Sequence, residues 1–484
     1  MSTSATKKKL THILIAAIIF AVIAILLPAG NGLTEKGVLT VALFAATIYC
    51  WIFVGVDWPS LLAPGALIAL GVMSQVEMLA ISFGNMCFAY VLVTMLINVV
   101  LEDTGVIEKV ATWFITRPFC KGRPWMFMFM FMFSIVTLEL FLDCVPVTLI
   151  YVALADRICQ KLGYEKGSKF GKCLIFAVLV LVIIPYGATP ISHPGAILVM
   201  GFLQGIGLEI TAGQFMAIGV PFSYISMLVV LFIFKFVVRP DFSNFDNFDP
   251  EALKGEDKPL SKKAKIATVI FALVVFCWLA PDIFKGFAPA VAALFKQWGV
   301  VAAPTLAVAA MAIIHVDGKP MISVAKDIHR IPLGTLIFIV GVQSFANTLT
   351  HANTGVSVWL GNIFAPFAQT IPASLVIVVT LLMTAVMTQF LSNIVVINLI
   401  WAAFSPVLMA LNAAGGNYNL AAWGVVLCLV ANVAFMFPSA SVVAPPNFTS
   451  GYLENSDAIK YGLPVVVIMY VVGLVGYFVA GIVM

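Results

Sequence analysis

Met387-Thr-Gln-Phe-Leu-Ser-Asn-Ile394 interrupts one of the most apolar parts of the chain. Before it, Ile371 to Val386 is long enough for only part of a bilayer crossing, and after it Val395 to Leu411 is apolar again. Thr388, Gln389, Ser392 and Asn393 thus sit at a depth where polar groups persist only against protein or a water-filled cavity. The stretch reads as the tip of a re-entrant hairpin at which something small and polar binds. The competing reading has Ser392, Asn393 and Thr388 bonding across helices or back onto a carbonyl.

The surroundings of the stretch set the class of molecule. Of 484 residues, 62% are hydrophobic and 10% charged, and the mean hydropathy is +1.09. Apolar runs near 20 residues recur from end to end, which predicts an all-α, multi-pass membrane protein of about 11 crossings. The net charge of +4 falls mostly in loops and reports orientation, not a nucleic-acid partner. Eight cysteines without C-x-x-C spacing read as buried free thiols, and five scattered histidines predict no metal site. Lys7-Lys8-Lys9 before Leu10 to Pro28 reads as a retained first helix whose start is cytoplasmic, in the cell membrane.

The two halves repeat each other. Thr104-Gly105 and Thr354-Gly355 each end an apolar helix and open an amphipathic stretch, 103–122 and 354–369, at an offset of 250. Asp143-Cys144 stands 249 residues before Ser392-Asn393. The Pro-rich stretch Gly187–Gly195 corresponds to Pro438–Asn447. Interrupted apolar segments at matching places in two halves point to a transporter binding site. Positive charge flanks 124–158 on both sides (Arg117, Lys121 and Arg123; Arg157, Lys161, Lys166, Lys169 and Lys172), whereas no Lys or Arg occurs from Ile331 to Ile459. By the positive-inside rule the hairpin 124–158 enters from the cytoplasm and the hairpin 371–411 from outside, an inverted repeat. The expected division is N-terminal scaffold helices 1–82, a first repeat 83–238, a cytoplasmic linker 239–265, scaffold helices 266–331, and a second repeat 332–484.

The first break is acidic. Glu139 and Asp143 are four residues apart, which on one helix puts both carboxyls on one face. Such a pair in a membrane is costly and functional by default, sharing a proton or binding a cation. His193 is a candidate partner for them. Near the second break no Lys or Arg is available, so an anion must be held by amides, hydroxyls and Asn; Ser392 and Asn393 suit a carboxylate at a helix start, and Thr388 offers an oxygen to a cation.

Ser392-Asn393, preceded at four residues by Thr388, resembles the Ser-Asn-Thr hairpin motif of the divalent anion:sodium symporters, which are di- and tricarboxylate transporters. Ala444-Pro445-Pro446-Asn447 is similar to that family's Thr-Pro-Pro-Asn turn, and the two Thr-Gly positions also look like its own. The resemblance runs from about residue 83 to the C-terminus. It implies a homodimer in the lipid bilayer, each protomer split into a scaffold and an elevator-type transport domain, with one site for a small anionic substrate between two opposed hairpins. It implies a transporter and not an enzyme, with no cofactor beyond Na+ as a coupling ion. Carried over, Ser392, Asn393, Pro445, Pro446, Asn447, Thr189 and Ser192 contact substrate or support its site, and Thr388, Glu139, Asp143 and His193 belong to the cation or proton. The chain departs from the pattern at Ile394, at Asp143-Cys144-Val145, at Glu139 and at Ser192-His193-Pro194-Gly195. Carboxylate transport coupled to a cation or proton, or anion exchange, is the leading expectation. A cation/proton antiporter using Glu139 and Asp143 is the second. A membrane-embedded enzyme would show acidic metal-binding motifs or a His base beside a cytoplasmic loop, and neither is visible.

Overall fold

The computed structural model describes residues 3–192, 194–245, 259–331, 333–368, 372–438, 440–441 and 443–484. His193 and the middle of the linker, 246–258, lie outside the described residues. Helices dominate; the one described sheet is a two-residue pair, His315–Val316 with Lys319–Pro320. Among the described residues eight helices are long and apolar enough to cross a membrane, or ten when two bent pairs are counted as single spans. The sequence reading of about 11 is close, and the difference lies in the short apolar helices. Pro124–Glu139 and Ala373–Met387 have 16 and 15 residues. At 1.5 Å per residue they are about 22–24 Å long, less than a hydrocarbon core of about 30 Å.

The repeat holds at the level of single backbone angles. Met86–Glu102, Val106–Ile115, Pro124–Glu139, Cys144–Leu162, Lys169–Tyr186, Pro194–Gly205 and Ala212–Ile233 recur in order as Leu333–Thr350, Val356–Ala368, Ala373–Met387, Asn393–Ala413, Leu420–Ala431, Ala444–Thr449 and Asn455–Val483. Gly105 (φ 66°, ψ 13°) matches Gly355 (φ 64°, ψ 8°). Leu140, closing the first hairpin leg (φ −60°, ψ −17°), matches Thr388 (φ −66°, ψ −16°). Asp143 (φ −71°, ψ 143°) matches Ser392 (φ −56°, ψ 137°). Gly187 (φ −86°, ψ 0°) matches Asn432 (φ −85°, ψ 6°).

Packing follows from which helices are apolar all round. Leu420–Ala431 is buried along its whole length, and 83% of Lys169–Tyr186 is buried, against 6% of Lys9–Leu26. An all-apolar helix belongs in a core, and these two form it. The hairpin of each repeat packs on that repeat's own central helix. The helix after each break crosses over: Pro194–Gly205 packs on Leu420–Ala431 and Asn393–Ala413, and Ala444–Thr449 on Cys144–Leu162 and Lys169–Tyr186.

The two Thr-Gly turns are held differently. A Cβ on Gly355 would lie 1.9 Å from the Gly32 carbonyl oxygen, and one on Gly37 would lie 2.0 Å from the Thr354 oxygen. Thr34 donates its hydroxyl to the Asn353 and Thr354 carbonyls (2.8 and 2.9 Å). A Cβ on Gly105 meets nothing within 4 Å. Next to Gly105 the fastening is ionic: Arg330 donates two hydrogen bonds to Asp103 (2.7 and 3.0 Å), and Lys263 stands 3.7 Å away. The Arg330 contact holds the Asp103 carboxyl below its ordinary range.

Two outcomes follow for apparent melting temperature in detergent. Gly105→Ala should cost about 1–2 kcal/mol, the penalty of a side chain in the left-handed region; Gly355→Ala should cost clearly more, because Gly32 must also move. Equal losses would contradict the grip on Gly355. A carboxyl depressed by folding contributes stability at neutral pH that is lost as pH falls through its lowered value. Acidification from about pH 5 to pH 3 should therefore destabilise the wild type more than Asp103→Asn.

Candidate functional site

Both hairpin tips end against the unwound segment that follows their own central helix. In the first repeat the segment donates: the Thr189 hydroxyl reaches the Leu140 carbonyl at the tip (2.6 Å), lies 3.1 Å from Ser192 Oγ, and accepts from the Ile191 and Ser192 amides. Ser192 donates to the Tyr186 carbonyl (3.0 Å). In the second repeat the tip donates: Thr388 bonds the Ala431 carbonyl, and the Gln389 amide bonds the Val433 carbonyl while its oxygen accepts from Met436 N (3.3 Å). Phe390 stacks on Phe437 with ring centroids 5.2 Å apart. The two repeats lock the same junction in opposite directions.

Asn432 joins the halves. Its side-chain oxygen accepts from Asn393 Nδ2 (2.8 Å), and its own amide donates to the Cys428 carbonyl (2.8 Å). A Cβ on Gly187 would lie 2.1 Å from Asn432 Nδ2, so only glycine permits this approach of the two central helices' ends. Asn432 went unread in the sequence although it is the one amide in the apolar run 420–437; an intramembrane polar residue was the available signal.

The expectation of a shared helical face fails at the first break. Glu139 is the last residue of its helix and Asp143 the N-cap of the next, so the break falls between them. Thr388 and Ser392 are separated in the same way. Asp143 is half-buried and spends its carboxylate as a cap: one oxygen accepts from Val145 N (3.0 Å), the other from the Tyr186 hydroxyl (3.4 Å). Glu139 is fully buried, and neither of its oxygens has a hydrogen-bond partner. Ser392 is exposed and makes no capping bond, which leaves the first amides of Asn393–Ala413 uncapped by a side chain.

Pro445, Pro446 and Asn447 start the short helix that packs on the first hairpin, so they stand with Cys144–Leu162. Asn447 is buried; its amide donates to the Val443 carbonyl (2.8 Å) and its oxygen is unpartnered. Unpartnered buried side-chain oxygens also occur at Thr148, Asn398 and Ser405, all on the hairpins' second legs. Native interiors rarely leave such atoms alone away from functional sites. A cavity of about 20 Å³ lies against Asp143, Pro190 and Ser192, room for a water molecule and not for a dicarboxylate.

The model of the citrate transporter family (CitMHS) matches residues 12–430. The chain belongs to this family. The resemblance to divalent anion:sodium symporters carried by Ser392-Asn393 is consistent with that membership, and the family is described as one of transporters. Human solute carrier family 13 member 1 is 26% identical over 240 residues, 45% of this chain and 38% of that protein. Rat solute carrier family 13 member 2 is 29% identical over 229 residues, 42% of this chain and 37% of that protein. The match thus spans well under half the length of these relatives. Two solved structures share the fold: the Alcanivorax borkumensis YdaH transporter (TM-score 0.58, 12% identity, 93% of this chain and 98% of that one) and Neisseria gonorrhoeae MtrF (0.60, 15%, 95% and 96%).

Gly187→Ala should lower the melting temperature and abolish uptake by displacing Asn432, and Asn432→Ala in the same chain should restore part of the stability by making room. No relief in the double variant would overturn the contact.

Proposed function

We propose that this citrate transporter family member is a secondary active transporter of small di- or tricarboxylates, working by alternating access with cation or proton coupling or by anion exchange. The observation that carries the reading is the difference between the two second-leg helix starts. A helix N-terminus holds an anion with its orphan amides. At Cys144–Leu162 that place is taken by the Asp143 carboxylate, whereas at Asn393–Ala413 the cap is a neutral, exposed Ser392 with no bond of its own. A substrate carboxylate belongs at Ser392 and Asn393. Thr189 and Ser192, which order the first break, and Pro445, Pro446 and Asn447, which line the first hairpin, complete the site in supporting roles. The family's description as citrate transporters supports the substrate class.

Coupling is assigned to Glu139 and Thr388. An unpaired charge at a buried site costs several kcal/mol, so Glu139 is suited to carry a proton in the closed state and release it on exposure. Thr388, with the Ala431 carbonyl it bonds, offers oxygens to Na+. Asp143 is reassigned from coupling to capping, and His193 is retained as a candidate proton partner on sequence grounds alone. The orphan carboxyl of Glu139 also favours a second reading, a cation/proton antiporter without an organic substrate. The wider reading has a homodimer in the cell membrane with a cytoplasmic N-terminus. Its scaffold is 1–82 and 266–331, and its elevator-type transport domain is drawn from the two repeats.

Counterflow in proteoliposomes with a panel of di- and tricarboxylates, with and without Na+, tests the function; flux driven by cations alone would select the antiporter. Ser392→Ala and Asn393→Ala should each abolish uptake while the protein remains monodisperse. Glu139→Gln should flatten the pH dependence of transport, whereas Asp143→Asn should keep it, with little loss of stability because Asn caps a helix about as well as Asp. The reverse pattern would return coupling to Asp143.

A further inference from the structure

A cleft of about 530 Å³ opens at the ends of Ala212–Ile233 and Lys262–Phe284 that lie away from the linker, with Met86, Gln204, Cys277, Trp278, Asp282 and Lys285 on its walls. The small cavity at the first hairpin is bounded by Tyr90, Thr94, Asn98, Asp143, Pro190 and Ser192. Helix Met86–Glu102 serves both. Met86 lines the cleft and Tyr90 the cavity, one turn or about 6 Å further along. What separates the two spaces is an aromatic pair. Tyr90 is 2% exposed, its ring centroid is 5.5 Å from that of Trp278, and its hydroxyl donates to the Pro190 carbonyl (2.6 Å). Trp278 is fixed in turn by its indole N–H on the Val300 carbonyl (2.9 Å).

We infer that Tyr90 and Trp278 are the gate on the access route from the side opposite the linker to the site between the hairpins. The inference rests on the transport reading of that site. The cleft is large enough for a tricarboxylate and the cavity is not, so the barrier lies between them. At the mouth Glu209 is 3.9 Å from Lys296 and Asp282 accepts from Thr211 (2.9 Å), while Lys285 has no carboxylate partner among the described residues. Asp282 likewise has no cationic partner among the described residues, so the two carboxylates and two ammonium groups of the mouth balance in charge. The Tyr90 hydroxyl bonds the same segment that carries Thr189 and Ser192, so opening the gate releases the first break.

The test uses the full chain in sealed vesicles without substrate, a membrane-impermeant methanethiosulfonate, and peptide mass spectrometry to resolve native thiols. Cys277 in the cleft is the internal reference. Thr94→Cys, placed behind the gate, should react much more slowly than Cys277. Adding Tyr90→Ala should speed it by about tenfold or more, since thiol labelling follows exposure; Tyr90→Phe, which keeps the ring and loses the latch, should speed it less. Trp278→Ala is the second gate variant should Tyr90→Ala not fold. Labelling of Thr94→Cys at the Cys277 rate with Tyr90 in place would overturn the gate. So would protection that survives both alanine variants while Cys277 still reacts. No carboxylate is present, so either failure leaves the substrate reading to counterflow.

Discussion

A helix that stops inside an apolar interior leaves carbonyls and amides that no solvent can satisfy. The structure stops four helices in this way, at Leu140, Gly187, Thr388 and Asn432. Satisfying them determines much of what surrounds the site. Thr189 serves the Leu140 carbonyl, Thr388 the Ala431 carbonyl, Gln389 the Val433 carbonyl and Asn432 the Cys428 carbonyl. Each hairpin is thereby fused to the break of its own repeat, and Asn432 against Gly187 fuses the two breaks to each other. Thr189, Thr388, Gln389 and Asn432 are thus committed to backbone groups that would otherwise be stranded, whereas Glu139 and Ser392 are not.

The near-identity of backbone angles makes the chemical differences between the repeats informative. Where geometry is the same, Asp143 and Ser392 occupy the same cap, yet one brings a charge and the other does not. The charged cap closes its helix start to an anion; the neutral cap leaves its own open. In the proposed reading one side of the site takes the anion and the other the proton or cation. A symmetric pair of Ser-Asn tips would offer two equivalent helix starts, whereas here the two starts differ in charge.

The repeat, the hairpins and the Thr-Gly turns were legible in the sequence because each depends on a local property: apolar run length, an interrupting polar pair, or a glycine in the left-handed region. Those signals survive without tertiary context. The pairing of Glu139 with Asp143 on one face was misread because four-residue spacing implies a shared face only if the helix continues, and the turn at Leu140 intervenes. Asn432 and Gln389 were missed for another reason. Their roles depend on partners 39 to 47 residues away, and the approach of Gly187 to Asn432 spans 245 positions, which no local periodicity encodes. The placement of Pro445-Pro446-Asn447 on the first hairpin is a crossover of the same kind, invisible until the central helices are packed.

The count of bonds at each junction bears on how such a molecule can move. Withdrawing the second hairpin tip as a flap would break the bonds of Thr388, Gln389 and Asn393 to the following segment. Each buried group left unpaired costs about 1–3 kcal/mol, and four bonds place that motion far above thermal reach unless substrate or ion replaces them one for one. Parting the first break and the helix that follows it from helix Met86–Glu102 costs the Tyr90 hydroxyl bond to Pro190 and the weak Cys87 thiol bond to the Ile197 carbonyl, together with apolar contacts that can re-form against another surface. The cheaper motion keeps hairpins, breaks and central helices together and slides them as one body past Tyr90 and Trp278. For the proposed transporter this argues for displacing a preassembled site over opening its lids, and the energetic reason is the set of stranded backbone groups that hold the site together.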